Sequence, residues 1–409
     1  MLQIRPIIHA LRRHKAGAIL IGLQIALTLA VVCNALFIIA SRIDRISRPT
    51  GIAESELMSV VNRWVGDPAE FPARQAADLA ALRSLPGVAD AYATNALPVS
   101  GDGWQSGVRI KPGTDYLGSV AVMFGDDHAL DTLGTRLAAG RNFRPDEIGS
   151  IDENGSPDAP TVMVTRALAE RLFPGQQAVG KVIYLGNVDA KPSTIVGVID
   201  HLQSPITSVD GSSGWNEVVM IPMHLAWSGA IYVIRARPGE LPALLTHAPA
   251  ALKQISRRRV IAEPDGVSSF ADMRDRAYSG DRGLAWMMGG ICVVLLGVTA
   301  AGIVGLTSFW VGQRRKQIGV RRALGATRRD ILTYFLTENA LITIGGIVAG
   351  VVLAAILNGW MMVTFETARL AVGYVVAGAA VLLVLGQLAV LAPAMRASRV
   401  PPVEATRSI

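Results

Sequence analysis

One stretch of the sequence has the spacing of a phosphate-binding loop. Residues 175–182, GQQAVGKV, fit the pattern GxxxxGK followed by serine or threonine at every fixed position except the last, which is Val182. Such a loop follows a strand and opens a helix, so that the helix N-terminus faces the phosphates. Here a helix is predicted before the loop, over 166–173, and a strand after it, over 181–185. The loop would leave the negative end of a helix dipole, which indicates a turn rather than a nucleotide site.

A second group of residues could ligate a metal: Asp126, Asp127, His128 and Asp131. Adjacent carboxylates cannot share one face, however, and the segment runs directly into the helix-like sequence DTLG. Capping of that helix by carboxylates is the simpler interpretation. Because residues 41–282 also contain no HExxH, no GxSxG and no cysteine, we predict no catalytic site, metal site or cofactor in this chain.

Four long stretches without charged residues indicate membrane-spanning helices. The chain is 51% hydrophobic and 17% charged, and these stretches cover 16–40, 283–312, 339–365 and 370–395. Each exceeds the roughly 20 residues that cross a bilayer core. The first is longer than the apolar core of a signal peptide and is predicted to be a retained anchor.

Basic residues in the short flanking segments predict the orientation. Segments 1–15, 313–332 and 396–409 are strongly basic, and the rest of the chain is acidic on balance. The positive-inside rule then places both termini and the 313–332 loop in the cytoplasm, and residues 41–282 and 366–369 outside. Since membrane orientation explains the basic residues, no nucleic-acid partner is predicted.

The region outside the membrane is predicted to be a large α+β domain, inserted between the first and second helices. Its strand-like runs cover 107–110, 120–124, 161–164, 181–185, 194–199, 218–221 and 230–235, with helices near 73–84, 166–173 and 241–256. The turn-rich segments 145–160 and 203–216 are predicted surface loops or a join between two subdomains. The predicted cytoplasmic segments are 1–15, 313–332 and 396–409, and the predicted membrane helices are 16–40, 283–312, 333–365 and 370–395. The external domain is 41–282, and the short external turn is 366–369.

The segment after the second crossing combines charge with an ordered apolar pattern. A cluster of basic residues closes the membrane helix, Ile318, Val320, Ala323 and Leu324 supply an apolar stripe, and Gly325 breaks the chain before a helix beginning near Thr327. This pattern predicts a short amphipathic helix along the inner surface. Attraction to anionic lipid needs only charge. The apolar stripe and the glycine break therefore favour a site that docks a protein.

Three further features of the membrane segments leave alternatives open. Small residues spaced by four occur on two helices and serve either a dimer contact or packing within one chain: Gly297, Ala301 and Gly305, and Gly346, Gly350 and Ala354. Glu338 pairs with a basic residue of the 313–332 loop or faces lipid headgroups. Cys33 and Cys292 lie at similar depths, but two small buried apolar residues are a simpler interpretation than a disulfide.

These motifs resemble the MacB-type, or FtsX-like, family of ABC transporter permeases. The sequences QRRKQIGVRRALGATRRDI (313–331) and FLTENALITIGGIVAG (335–350) are similar to the hallmark of the family. Residues 130–143, 161–186 and the strand ending at Asp200 resemble its periplasmic core domain. The tail PAMRASRVPPVEATR also fits, although Thr406 replaces the expected leucine. Residues 50–100 and 203–280 match less clearly.

The resemblance implies four helices, a periplasmic domain and a dimer with a second copy or a homologous permease, in the bacterial inner membrane. ATP and Mg²⁺ would bind to a dimeric cytoplasmic ATPase, expected on a separate polypeptide because only about 15 residues precede the first crossing. That ATPase would dock on the following residues: Arg314, Arg315, Lys316, Ile318, Gly319, Arg321, Arg322, Ala323, Leu324, Gly325, Ala326, Arg328, Arg329 and Asp330.

The expected function is that of a permease subunit in an ATP-driven export or mechanotransmission complex. In a tripartite exporter, a periplasmic adaptor and an outer-membrane channel would be further partners. The alternative is a signalling subunit that regulates a periplasmic enzyme or sensor, as some FtsX-like proteins do. No residue selects a substrate.

Overall fold

The computed structural model describes residues 15–399, with the exception of 102, 153–157, 187–189, 207–213, 263 and 366–368. Nearly all of the predicted cytoplasmic segment 1–15, most of the predicted 366–369 turn and the tail beyond 399 lie outside the described residues. The chain divides into two compact units, a membrane unit before Arg48 and after Gly280, and an external unit, Arg48–Gly280.

The first helix, α1 (Lys15–Ser47), continues past the apolar stretch that ends at residue 40. Its 33 residues correspond to about 50 Å, well beyond a bilayer core of about 30 Å. The helix ends just before Arg48 because a residue that precedes proline, here Pro49, is disfavoured in the helical conformation.

Besides three 3₁₀ turns, the described part of the external unit contains thirteen strands and five α-helices. In chain order they are β1 (Leu57–Trp64), α2 (Phe71–Ser84), β2 (Val88–Thr94), β3 (Trp104–Arg109), β4 (Ser119–Gly125), α3 (Ala129–Leu133), β5 (Leu137–Gly140), β6 (Gly149–Ile151), β7 (Thr161–Thr165), α4 (Arg166–Leu172), β8 (Val182–Leu185), β9 (Pro192–Ile199), β10 (Val218–Leu225), β11 (Gly229–Ala236), α5 (Leu241–Ile255), β12 (Arg259–Ile261), β13 (Val267–Ser269) and α6 (Phe270–Ala277).

The first sheet is antiparallel, in the order β12–β1–β11–β2, with β13 also beside β1. Apolar residues of α2 and α5 are buried in the core of this part of the unit. That core also encloses an ion pair between Arg259 and Asp78, 2.8 Å apart, in which both side chains are 1% exposed. Tyr232 and Trp64 each donate a hydrogen bond to the same carboxylate, so its charge is fully compensated.

The second sheet closes on itself. Its strands follow the order β4–β3–β8–β9–β7–β10, and β10 pairs in parallel with β4 to complete a ring of six. Between α4 and β8 the chain makes the helix-to-strand turn that was predicted for the phosphate-loop pattern. Both glycines of that turn have positive φ, 68° at Gly175 and 85° at Gly180. The mixture of sheets and packed helices confirms the predicted α+β class.

Four further helices complete the membrane unit: α7 (Ser279–Gln313), α8 (Arg315–Ala323), α9 (Arg328–Phe365) and α10 (Val372–Ser398). In the described residues, α1, α7, α9 and α10 are long and apolar enough to cross a membrane. The start of α9 lies inside the segment predicted as a cytoplasmic loop. It begins there because Thr327 and Asp330 cap it reciprocally. The Asp330 carboxylate accepts the backbone N–H of Thr327 at 2.9 Å, and the Thr327 hydroxyl accepts the backbone N–H of Asp330 at 3.2 Å.

Candidate functional site

The short helix α8 is defined by breaks at both of its ends. Arg314 separates it from α7 with a non-helical backbone, φ −95° and ψ 10°. At the other end the chain turns at Gly325, whose φ of 99° favours glycine. The predicted short helix and the glycine break are therefore both present.

The apolar residues of α8 do not form the single stripe that the sequence suggested. Ile318 is buried, whereas Val320 is 48% and Leu324 83% exposed. The prediction was wrong because residues two apart on a helix lie about 200° apart around its axis. Val320, Ala323 and Leu324 instead form a second apolar face, opposite Ile318 and exposed.

The inner side of α8 is held by the long helices. Ile318 packs in one buried cluster with Ile331, Phe335 and Ala397. The backbone of Gly319 is buried beside it. This side of α8 is therefore committed to the membrane unit.

A buried ion pair anchors the start of α8. The Arg314 guanidinium lies 2.9 and 3.0 Å from the two carboxylate oxygens of Glu338 in α9. Glu338 therefore pairs with a basic residue of the 313–332 segment, as the first of its two interpretations predicted. At the other end of α8, Arg322 donates to the backbone oxygen of Ser398, 3.3 Å away, and Arg321 lies over the ring of Tyr334 at 5.0 Å.

The remaining cationic residues of the segment are exposed. Arg315, Lys316, Arg328 and Arg329 all have exposed side chains. Asp330, grouped with them in the sequence, is the capping residue of α9, and this local role accounts for its carboxylate. The outward side of the segment thus presents apolar residues surrounded by positive charge.

The two sets of small residues have different surroundings. A Cβ atom on Gly346 would lie 2.8 Å from the Gly22 oxygen, and one on Gly350 would lie 2.9 Å from the Ala26 oxygen, both in α1. Ala354 is fully buried. These three residues serve packing within one chain. In α7, by contrast, Gly297, Ala301 and Gly305 are exposed, and a Cβ on either glycine would meet no atom within 4 Å.

The acidic group near residue 126 is a salt-bridge network. Asp126 pairs with Arg83 at 3.3 Å, and the ring of His128 lies 3.0 Å from Asp90. Burial raises the pKa of Asp126, while Arg83 and His224 act in the opposite direction. An arginine at the centre repels a cation, and the described residues hold no cluster of three or more potential metal ligands. The side chain of His128, which precedes α3, makes no capping bond, but the Asp126 carboxylate accepts the backbone N–H of His128 at 3.0 Å.

The two cysteines are not bonded to each other. Both are free and buried, and the Cys33 sulfur lies 3.6 Å from the Tyr374 oxygen in α10. The interpretation as small buried residues therefore holds.

Two family models account for most of the chain. The MacB-like periplasmic core domain matches residues 23–248, and the FtsX-like permease C-terminal matches residues 289–402. The chain belongs to the MacB-like, FtsX-like family of ABC transporter permeases. Its α+β domain between the first two membrane helices is a MacB-like periplasmic domain, and the protein is a membrane protein of the bacterial inner membrane.

Curated relatives support the same family at low identity. An uncharacterized ABC transporter permease of Bacillus subtilis, YvrN, is 27% identical over 296 residues, covering 69% of this permease and 68% of YvrN. The pyoverdine export ATP-binding/permease protein PvdT of Pseudomonas syringae is 26% identical over 342 residues, covering 81% of this permease but 48% of PvdT. The permease thus spans about half the length of that relative.

Among solved structures, the permease is similar to the periplasmic region of MacB from Actinobacillus actinomycetemcomitans. The identity is 13%, with 57% of this chain and 97% of that region covered, at a TM-score of 0.33.

Proposed function

We propose that this permease is a subunit of an ATP-driven export complex and that α8 docks a cytoplasmic ATPase. One observation carries the proposal: α8 is fastened to the membrane unit on its inner side and presents Val320, Ala323 and Leu324 on the opposite side. A helix held in this way passes a push on its outer face to the helices behind it.

The outward face has the character of a protein interface. Burying an exposed leucine side chain contributes about 2 kcal/mol, and Leu324 is 83% exposed in the single chain. Arginine is enriched at interfaces. The surrounding cations fit an acidic cleft, and ATP and Mg²⁺ would bind to that partner, which we expect to be a dimer.

Orientation belongs to the same proposal. The basic flanks place α8 and both termini in the cytoplasm and the external unit in the periplasm, with the predicted segment boundaries. A second copy or a homologous permease would complete the complex, and an adaptor with an outer-membrane channel would extend it.

Export is proposed by analogy with relatives whose names state it. PvdT is named a pyoverdine export protein, and a Shewanella relative, 24% identical over 279 residues, is named a macrolide export protein. Those names include an ATP-binding part, consistent with a permease that works with an ATPase.

The test is extraction of the full-length permease from its own cells in mild detergent. We expect an ABC ATPase to co-purify with the wild type, to be lost from Leu324→Asp, and to be kept by Val260→Asp, a matched change at an exposed valine of the external unit. Absence of an ATPase from the wild type, or its retention by Leu324→Asp, would overturn the docking assignment.

The same preparation separates export from signalling. An adaptor and an outer-membrane channel in the complex would support export. A peptidoglycan hydrolase in their place would support the regulatory alternative.

A further inference from the structure

The chain enters the external unit at Arg48 and leaves it at Gly280, and the two connections meet inside that unit. Six residues form the meeting point, here called the base clamp: Arg48, Thr50, Glu54, Gln203, Arg274 and Tyr278. The first three belong to the entering segment, the last two to the leaving segment, and Gln203 to the segment after β9.

Arg274 joins the two connections directly. From α6, its Nη1 lies 2.5 and 2.6 Å from the two carboxylate oxygens of Glu54, and its Nη2 donates to the backbone oxygen of Arg48 at 2.9 Å. Thr50 donates to the same carboxylate at 2.5 Å. A planar guanidinium can hold a carboxylate and a carbonyl at once, which a lysine ammonium cannot do with the same geometry.

Gln203 joins both connections to the ring of strands. Its backbone N–H donates to the Thr50 oxygen at 2.9 Å, and its side-chain Nε2 donates to the Tyr278 hydroxyl at 2.8 Å. Thr50, Gln203 and Tyr278 are all buried. Because β9 ends at Ile199, only three residues separate Gln203 from the ring of strands.

The membrane unit has a matching contact on its own side of the boundary. Arg42, near the outer end of α1, pairs with Asp281, near the start of α7, at 2.9 Å. The two chain segments are thus tied to each other in each unit.

The base clamp contributes little to stability by its charges alone. The Arg274 and Glu54 side chains are 22% and 33% exposed, and ion pairs exposed to this degree have small effects on unfolding. The external unit also has an extensive core of its own. Stability alone therefore does not explain why these contacts converge on the two connections, whereas transmission of movement between the connections and the ring does.

We propose that the base clamp fastens both connections to β9, so that movement of the membrane helices reaches the ring of strands instead of being absorbed in two independent linkers. Arg274 and Gln203 are positioning residues in this process. The proposal rests on the proposed function, since it needs an ATP-driven movement to transmit.

The test measures that movement in the full-length permease with its ATPase in lipid nanodiscs. One spin label is placed at position 111, just after β3 of the ring, and the other at position 363, near the outer end of α9. Both positions are exposed in the single chain, and position 363 faces lipid in the nanodisc. The two labels report the distance between the ring of strands and the outer end of α9. Cys33→Ala and Cys292→Ala remove the native thiols. Distances are compared without nucleotide and with ATP plus vanadate.

We expect ATP to shift the distance in the wild type and Arg274→Gln to remove more than half of the shift, with ATPase binding and hydrolysis retained. Arg274→Lys should give an intermediate loss. The control is Arg276→Gln on the same helix, whose ion pair with Asp265 reaches neither the entering segment nor Gln203, and it should keep the full shift. Oxidation of the pair Glu54→Cys and Arg274→Cys should restore the shift by a covalent link.

Two outcomes would overturn the base clamp. If the shift is unchanged in both Arg274→Gln and the reduced cysteine pair, the base clamp is overturned and the proposed function is not affected. The absence of any shift in a wild-type complex that hydrolyses ATP would overturn it together with the proposed transmission of ATPase motion.

Discussion

The two helices that connect the membrane to the external unit, α1 and α7, are held very differently. Half of the residues in the apolar window of α1 are buried, against 17% in α7. Glycines of α9 let its backbone approach α1 closely, as at Gly346 and Gly350. The contrast separates an anchored connection from a loosely held one.

The contacts between α1 and α7 combine a small apolar cluster of Val32, Ala35 and Cys292 with side-chain hydrogen bonds. Thr28 and Thr299 share a hydrogen bond of 2.8 Å, and Gln24 donates to the Val298 oxygen at 3.1 Å. At its inner end α7 leads into α8, and at its outer end it follows α6. Under the proposed function, α7 is therefore the element that moves, and α1 with α9 and α10 is the element against which it moves.

The largest expected effect comes from matched glycine substitutions on the two sides of the comparison. Gly350→Leu drives a side chain into Ala26 and Leu29, and we expect it to destabilise the membrane unit by about 3 kcal/mol or to prevent folding. Gly297→Leu on α7 meets open space in one chain and should leave the unfolding temperature nearly unchanged. Thermal unfolding followed by size-exclusion chromatography measures both. Equal losses would remove the distinction between the helices.

The next effect, no larger than the first, is expected from the ion pair at the start of α8. Glu338→Gln leaves the buried Arg314 without its counter-charge, at a cost of about 3 kcal/mol. The double variant Arg314→Met with Glu338→Leu should recover most of the stability, because removing both charges also removes the desolvation cost. Chemical unfolding in nanodiscs gives the stability, and hydrolysis by the bound ATPase shows whether α8 remains in place. A neutral Glu338→Gln would contradict the anchoring role.

The smallest effect is expected where α7 meets α1. Hydrogen bonds between membrane helices contribute on average about 0.6 kcal/mol. A double-mutant cycle with Thr28→Val and Thr299→Val should therefore give a coupling energy below about 1 kcal/mol. A coupling of several kcal/mol would show that α7 is fixed to α1, and the proposed movement would then need another element.

The fold could be predicted from the sequence where the local pattern decides it. The four membrane helices followed from apolar length, and the seven predicted strands all occur because they are rich in β-branched residues. Six strands were missed, the short β5, β6, β12 and β13 and the two longer strands of the first sheet, β1 and β2. The sequence of β2, VADAYAT, is rich in alanine, and β1 begins with four consecutive buried residues and alternates only in its second half, so neither shows a full strand period.

The candidate site was predictable only in its location. The charges and the glycine break located α8, but the direction of Val320 and Leu324 depends on which side of the helix packs against α9 and α10. The base clamp carries no signal in the sequence at all, because Glu54, Gln203 and Arg274 are far apart in the chain and meet only through the two sheets.

The most direct test of ATPase docking is photo-cross-linking from α8 in living cells. A diazirine amino acid of leucine size is placed at position 324, the residue that caps α8, or, as the control within α8, at position 318. The account predicts an adduct between position 324 and an ABC ATPase, and only adducts within the permease from the buried position 318. Adducts of position 324 with lipid alone, in cells that contain the ATPase, would contradict it.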